Sequence, residues 1–200
     1  FATQVSPLES TEVRGEQLLA QVEEIRALTG KNKVNLIGHS HGGPTVRYIA
    51  AIRPDIVASV TGVAGTFRGS KVADDILANQ GTSTLANFFG GKLLAPIITW
   101  AEGNSSLPIN TTASLISISE KGSAQFNQKF PTAALAANCN TSGANLENGI
   151  RYYSWTGKAQ ITNILDVLDS VISQLAPLSY GNFDNDGLVN RCNAHLGQII

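Results

Sequence analysis

The chain has 200 residues, of which 42% are hydrophobic and 14% charged, and its formal net charge is −1. That length supports one domain with a sizeable core and is too short to argue for two, and the composition is that of a folded globule rather than a disordered segment. Near-neutral charge without a basic stripe gives no footprint for a polyanion partner, which argues against a nucleic-acid reader.

In chain order, residues 2–5 hold at most one short strand. Residues 12–29 predict an amphipathic helix, with Leu18, Val22, Ile25 and Leu28 on one face, Glu23 and Arg26 pointing elsewhere, and Gly30 as the stop. Val34-Asn35-Leu36-Ile37 has the length and composition of a buried strand, and it breaks at Gly38-His39-Ser40-His41-Gly42-Gly43. A second helix follows, with Pro44 tolerated in its first turn and Val46, Ile49, Ala50 and Ile52 as apolar positions up to Pro54. Residues 56–63 then read as another strand. Helix, strand, turn, helix, strand is the order of an α/β protein with a parallel sheet.

The middle, about 68–130, is rich in small residues and carries an apolar series, Leu85, Phe88, Phe89, Leu93, Leu94, Ile97, Ile98 and Trp100. Buried helices and a mobile cap facing substrate both account for it, and the two readings stay open. Patterning returns as a strand at residues 150–155 and a helix at 161–175, before a turn-rich segment at 182–187 followed by Leu188-Val189. No internal repeat is visible. Met is absent, so Phe1 is not an initiator, and the chain is expected to begin after processing or to be cut from a longer one. No apolar run reaches the length of a membrane span, residues 93–100 being interrupted by Pro96. Cys139 and Cys192 fit either one bridge, suited to an oxidising compartment, or two buried thiols.

Chemistry concentrates at Gly38-His39-Ser40-His41-Gly42, a G-x-S-x-G with a strand directly before it and a helix directly after. The turn must be tight, so Gly38 and Gly42 are expected where a Cβ would clash, with Ser40 strained and its hydroxyl raised above the sheet. The amide of His41 would point to where a carbonyl oxygen turns negative, half of an oxyanion hole. One such donor is worth about 3 kcal/mol to a transition state. The alternative, a structural Gly-rich turn of a nucleotide-binding fold, is weakened because neither G-x-G-x-x-G nor a P-loop Lys is present.

A serine needs a base. His39 and His41 flank Ser40 on diverging directions and read as packing and polar cover. His195 lies only nine residues after Asp186, which sits in a late turn where the acid of such a triad belongs, and that is close for a base from a separate loop. The 33 residues before Val34 leave no room for the earlier strands or for the second oxyanion donor, so both ends are expected to be truncated.

At this point the residues carry a family. The run Glu12-Val13-Arg14-Gly15-Glu16-Gln17-Leu18-Leu19, the segment Val34 through Pro44, and Tyr152-Tyr153-Ser154-Trp155, Thr162-Asn163-Ile164-Leu165-Asp166 and Asn185-Asp186-Gly187-Leu188-Val189 closely resemble the bacterial true lipases of the Pseudomonas and Burkholderia type. The resemblance covers nearly the whole chain and is weaker in the middle. It implies an α/β-hydrolase fold: a central, mostly parallel sheet with flanking helices and a helical lid within about 70–130, in a single partial domain over 1–200. It implies Ser40 as nucleophile, Asp186 as triad acid, the His41 amide in the oxyanion hole, Cys139 and Cys192 as a disulfide, and Asp166 as a ligand of a structural calcium. The remaining calcium ligands and the catalytic His would lie past Ile200, and a His-Gly oxyanion loop before Phe1. Secretion, a lipase-specific folding chaperone and triacylglycerol at an oil–water interface complete the implied picture. Ester hydrolysis through an acyl-enzyme is thus the leading expectation. The alternatives are an esterase or acyltransferase for smaller soluble esters, and an inactive fragment that only binds lipid.

Overall fold

The computed structural model describes residues 1–79, 107–158 and 184–200. Helix α1 (Thr11–Thr29) starts at Ser10, whose side chain accepts from the Val13 N–H. It ends at Gly30, whose φ of 65° turns its amide back to the Arg26 carbonyl. Leu18 and Val22 are buried as the periodicity requires, but Leu28 is 73% exposed. The apolar face is shorter than predicted because α1 buries only Thr11, Gly15, Leu18 and Val22, packing on helix α2 (Gly42–Ile52) and leaving its last turn uncovered. A Cβ at Gly15 would lie 2.2 Å from Cδ1 of Tyr48 on α2, so this crossing requires a glycine.

Strand β1 (Val34–His39) runs two residues past the predicted segment and pairs in parallel with β2 (Val57–Val63). Pro54–Ile56 forms a single 3-10 turn, which starts β2 one residue later than expected. Two short elements absent from the predicted set border β4 (Ile150–Trp155). β3 (Leu146–Glu147) returns antiparallel across Asn148-Gly149, both at positive φ as a two-residue hairpin turn requires. β5 (Gln198–Ile199) joins β4 in parallel. The strand order is β1-β2-β4-β3, with β5 also on β4, and β2 and β4 parallel. This is the predicted α/β class with a mostly parallel sheet. Expected to be buried throughout, β1 is half-buried among the described residues: Leu36 and Gly38 are covered, while Asn35, Ile37 and His39 alternate to the exposed side.

Within the stretch expected to hold a cap, α3 (Lys71–Asn79), α4 (Thr111–Ile118) and α5 (Glu120–Lys129) are described. The apolar series from Leu85 to Trp100 and the predicted helix at 161–175 lie outside the described residues. Ser119 both ends α4 and caps α5, accepting from the Gly122 N–H. The Asp74 carboxylate accepts from the first amide of α5, and the Ser70 amide donates to Ile118, which ties α3 to the α4–α5 junction. Arg47 binds α2 to α5: fully buried, it donates to Asn127 Oδ1 at 2.6 Å and to the Phe130 carbonyl, and lies 4.9 Å over the Phe126 ring. Burial lowers its pKa to about 10, against a smaller opposing pull from Tyr152 and the Glu147 carboxylate. Ile49, Val57, Val60, Ile150 and Leu196 are fully buried at the centre, each worth about 1.5–3 kcal/mol. Among the described residues no helix is long and apolar enough to cross a membrane.

Candidate active site

Ser40 stands at the C-terminal end of β1, one residue before the cap of α2, with φ 51°. A non-glycine residue in the left-handed region stores about 1–3 kcal/mol of strain and persists only when its surroundings over-determine it. They do so here: the Ser40 amide donates to the Val63 carbonyl at 2.9 Å, and its own carbonyl accepts from Gly43 at 2.9 Å and Thr66 at 3.4 Å. Ala64, which follows β2 as Ser40 follows β1, has φ 47° and donates to the Trp155 carbonyl. The elbow is thus one of two adjacent strained turns, each anchored on the next strand of the sheet.

The glycines around Ser40 divide differently from expectation. At Gly38 an added Cβ would fall 2.1 Å from the Gly42 carbonyl oxygen and 2.8 Å from the Gly43 nitrogen, so no other residue fits. At Gly42 an added Cβ meets nothing within 4 Å. The second close approach is at Gly43, 3.0 Å from both Gly65 Cα and Phe67 Cζ. The ring of Phe67, 1% exposed, fills the space left by Gly43, Gly62 and Gly65 beneath the elbow. Only the structure identifies Ala64 and Phe67 as supports, because their neighbours come from three separate segments.

His41 is buried. Its Nε2 lies 2.9 Å from Thr11 Oγ1 at the start of α1, and its Nδ1 lies 3.3 Å from Ser114 Oγ on α4. Its carbonyl accepts from the Thr45 hydroxyl at 2.8 Å and the Thr45 amide at 3.3 Å. Among the described residues its own N–H has no protein acceptor. Desolvation, then the nearby Arg14 charge, drive the imidazole pKa well below its ordinary 6.5, so the ring is neutral. His195 is also buried and lowered, by desolvation and then by Arg191, with Nδ1 unpartnered among the described residues. A depressed histidine pKa means that the unfolded chain binds the proton first as pH falls. The stability that these rings contribute is therefore present above pH 6.5 and lost below it, at up to about 1.4 kcal/mol per pH unit for each ring. The thermal midpoint of the wild type should accordingly fall more steeply below pH 6.5 than that of His41→Gln; equal slopes would show that His41 ionises in the fold.

Asp186 belongs to the last described segment. Its Oδ1 accepts from the Leu188 and Val189 amides at 2.9 and 2.7 Å, and its Oδ2 lies 3.5 Å from Thr156 Oγ1, just past the end of β4. His39, Val63 and Trp155 stand in register across β1, β2 and β4, so the chain leaves Ser40 and Thr156 from the same edge of the sheet, two strands apart. At ~4.8 Å per strand spacing that separation is about 10 Å. Among the described residues no hydrogen bond joins a histidine ring to Ser40 or Asp186: His39 is exposed, His41 is committed to Thr11 and Ser114, and His195 is buried with its Nδ1 unpartnered.

Cys139 and Cys192 are disulfide-bonded, with Cα atoms 4.9 Å apart, which settles the choice between a bridge and two thiols. The bridge reaches the 3-10 turn Arg191–Ala194 that closes the Asp186 segment. Asp166 lies outside the described residues, and among the described residues no group of three or more His, Cys, Asp or Glu gathers to hold a metal. Asp184 is engaged in a fork with Arg191, through bonds of 2.8 and 3.0 Å.

Comparison with known proteins extends this picture. The sequence pattern of the alpha/beta hydrolase fold matches residues 6–167. A triacylglycerol lipase of Vibrio cholerae is 46% identical over 203 residues, covering all of this chain and 64% of the relative. A triacylglycerol lipase of Pseudomonas fragi is 34% identical, covering all of this chain and 71% of the relative. One of Burkholderia plantarii is 36% identical over 94% of this chain and 61% of its own length. Among solved structures, the mature lipase BlEst2 of Bacillus licheniformis superposes with a TM-score of 0.64 at 19% identity, over 97% of this chain and 66% of that one. This likeness speaks to the fold. The chain thus spans just under two thirds of the Vibrio relative's length. It belongs to the α/β-hydrolase fold family, in the sequence group of these bacterial triacylglycerol lipases.

Proposed function

We propose that the protein hydrolyses carboxylic esters of lipids, triacylglycerols foremost, with Ser40 as the nucleophile. The observation that carries this reading is the strained Ser40 between β1 and α2, followed by an amide that has no protein acceptor among the described residues. Ser40 Oγ attacks the ester carbonyl as a base removes its proton. The His41 N–H donates to the oxygen that becomes negative, and the base returns its proton to the departing alcohol. Water then cleaves the acyl-enzyme by the same route. Asp186 is the orienting acid. Two of its contacts are backbone amides that hold the carboxylate, and it sits beside Thr156. The strand end there is about 10 Å from that of Ser40, a backbone separation that side chains reaching inward and one imidazole hydrogen-bonded at both nitrogens can bridge. We assign that imidazole to the protein outside these 200 residues, since no hydrogen bond among the described residues joins any of the three histidine rings to Ser40 or Asp186.

The disulfide supports an oxidising, extracytoplasmic setting, consistent with secretion. A structural calcium on Asp166 and a folding chaperone belong to the same reading through the resemblance alone, and no catalytic step depends on either. In protein expressed with the residues encoded on both sides of this chain, a fluorophosphonate should label Ser40 stoichiometrically and abolish turnover of emulsified triacylglycerol. Full labelling elsewhere, or none, would end the proposal.

A further inference from the structure

We infer that the His41 side chain is a positioning residue for the reaction: it fixes the direction of its own amide by tying the elbow to α1 and α4. This rests on the reading of Ser40 as nucleophile and of the His41 amide as oxyanion donor, and it assigns a task to a ring that this mechanism leaves unused.

The geometry points to orientation rather than filling. Both ring nitrogens are engaged, by Thr11 Oγ1 at 2.9 Å and Ser114 Oγ at 3.3 Å, and all three side chains are buried. A ring held at both nitrogens has its two side-chain torsions fixed. The peptide joining Ser40 to His41 is held at the Ser40 carbonyl by the Gly43 and Thr66 amides, and the next peptide is held at the His41 carbonyl by Thr45, so the N–H between them cannot swivel. Among the described residues, the polar backbone group of His41 left unpaired is the N–H that must keep its aim. An apolar side chain would fill the same space without the cost of desolvating an imidazole and two hydroxyls, so the network contributes specificity of arrangement. Because either hydroxyl can donate or accept, the neutral ring is satisfied in either tautomer. Arg14, whose Nε donates to Thr45 Oγ1 at 3.3 Å, and whose guanidinium also takes the Ser6 and Pro7 carbonyls, is the charge facing this cluster, and it further opposes protonation of the ring. The two ties also make the donor sensitive to where α4 sits, since Asn110 caps that helix and its amide donates to the Leu8 carbonyl near the start of α1.

The test compares wild type with His41→Leu, His41→Gln, Thr11→Val and Ser114→Ala in protein carrying the residues encoded on both sides of the chain. Each is assayed on p-nitrophenyl butyrate well below the lowest melting temperature of the set. His41→Leu should lower kcat about 10- to 100-fold with KM within twofold, and slow fluorophosphonate labelling of Ser40 in proportion, because the phosphonyl oxygen occupies the same donor. Thr11→Val and Ser114→Ala should each give a smaller loss of the same kind. His41→Gln, which keeps one donor and one acceptor, should recover most of the kcat and leave the acidic limb of the kcat/KM profile where it was. A folded His41→Leu that labels as fast as wild type overturns the positioning role and leaves the Ser40 reading intact. A shifted acidic limb in His41→Gln would make the ring a proton carrier and also overturn it. A wild type unlabelled at Ser40 overturns both.

Discussion

Ser40→Gly is expected to abolish ester hydrolysis and, at the same time, to make the fold more stable. Loss of the nucleophile should lower kcat by at least about 10⁴-fold, since triad members act as a unit and little remains once one is removed. The gain in stability comes from the backbone. Ser40 is held at φ 51° by the Val63, Gly43 and Thr66 hydrogen bonds, a conformation that a side chain resists and glycine accepts. Relief of about 1–3 kcal/mol is partly offset by roughly 0.5–1 kcal/mol from the greater freedom of glycine in the unfolded chain, leaving about 1 kcal/mol. In a domain of this size that raises the melting temperature by about 2–4 °C. Ser40→Ala is the control: it removes the same hydroxyl but keeps a Cβ, so it should be equally inactive with a melting temperature close to wild type. Calorimetry of the three proteins separates the effects. If Ser40→Gly melts at or below Ser40→Ala, the elbow is not storing strain.

The same physics explains why this part of the molecule was readable from residues alone. Strand, elbow and helix are contiguous, and each is specified locally: β-branched and apolar residues through β1, a glycine where the Gly42 carbonyl leaves no room for a Cβ, and a proline early in α2. What sequence could not resolve depends on distant partners. Which of Gly42 and Gly43 is sterically required is decided by Phe67 and Gly65, more than twenty residues on. The exposure of Leu28 follows from where α2 ends rather than from anything within α1. His41 reads as polar cover until Thr11 and Ser114, 30 residues before it and 73 after, are seen at its two nitrogens. Two further local signals stand in the sequence: Asn148-Gly149, a strong short-range mark of a hairpin, and the cap residues Asn110 and Ser119, which announce α4 and α5. The turn that carries Asp186 is legible because an Asn-Asp-Gly run is a local feature, although the amide partners of its carboxylate, Leu188 and Val189, emerge only in the fold.

Opening the disulfide should be the most damaging single change to stability, and it should leave the chemistry largely intact. Cys139 and Cys192 are 53 residues apart, and closing a loop of that length restricts the unfolded chain by about 4 kcal/mol. For a domain of this size the double variant Cys139→Ser/Cys192→Ser should melt about 8–16 °C lower. The segment that carries Asp186 has other anchors in the native state. Asp184 forks Arg191, the Asn193 carbonyl accepts from the Arg68 amide, and the Asn193 side chain donates to Gly69; the Leu196 amide reaches Ser154 Oγ at 2.8 Å, and the Gly197 amide reaches Ala134 at 2.7 Å. Leu196 is also fully buried in the main core. These contacts hold the native geometry without the bridge, so at 25 °C kcat should stay within about threefold of wild type, while the half-life at elevated temperature falls steeply. A melting temperature lowered by less than about 3 °C would mean that the unfolded chain is already restricted in this region. A large loss of kcat at 25 °C with the fold intact would instead make the bridge, rather than these hydrogen bonds, the element that keeps Asp186 in place.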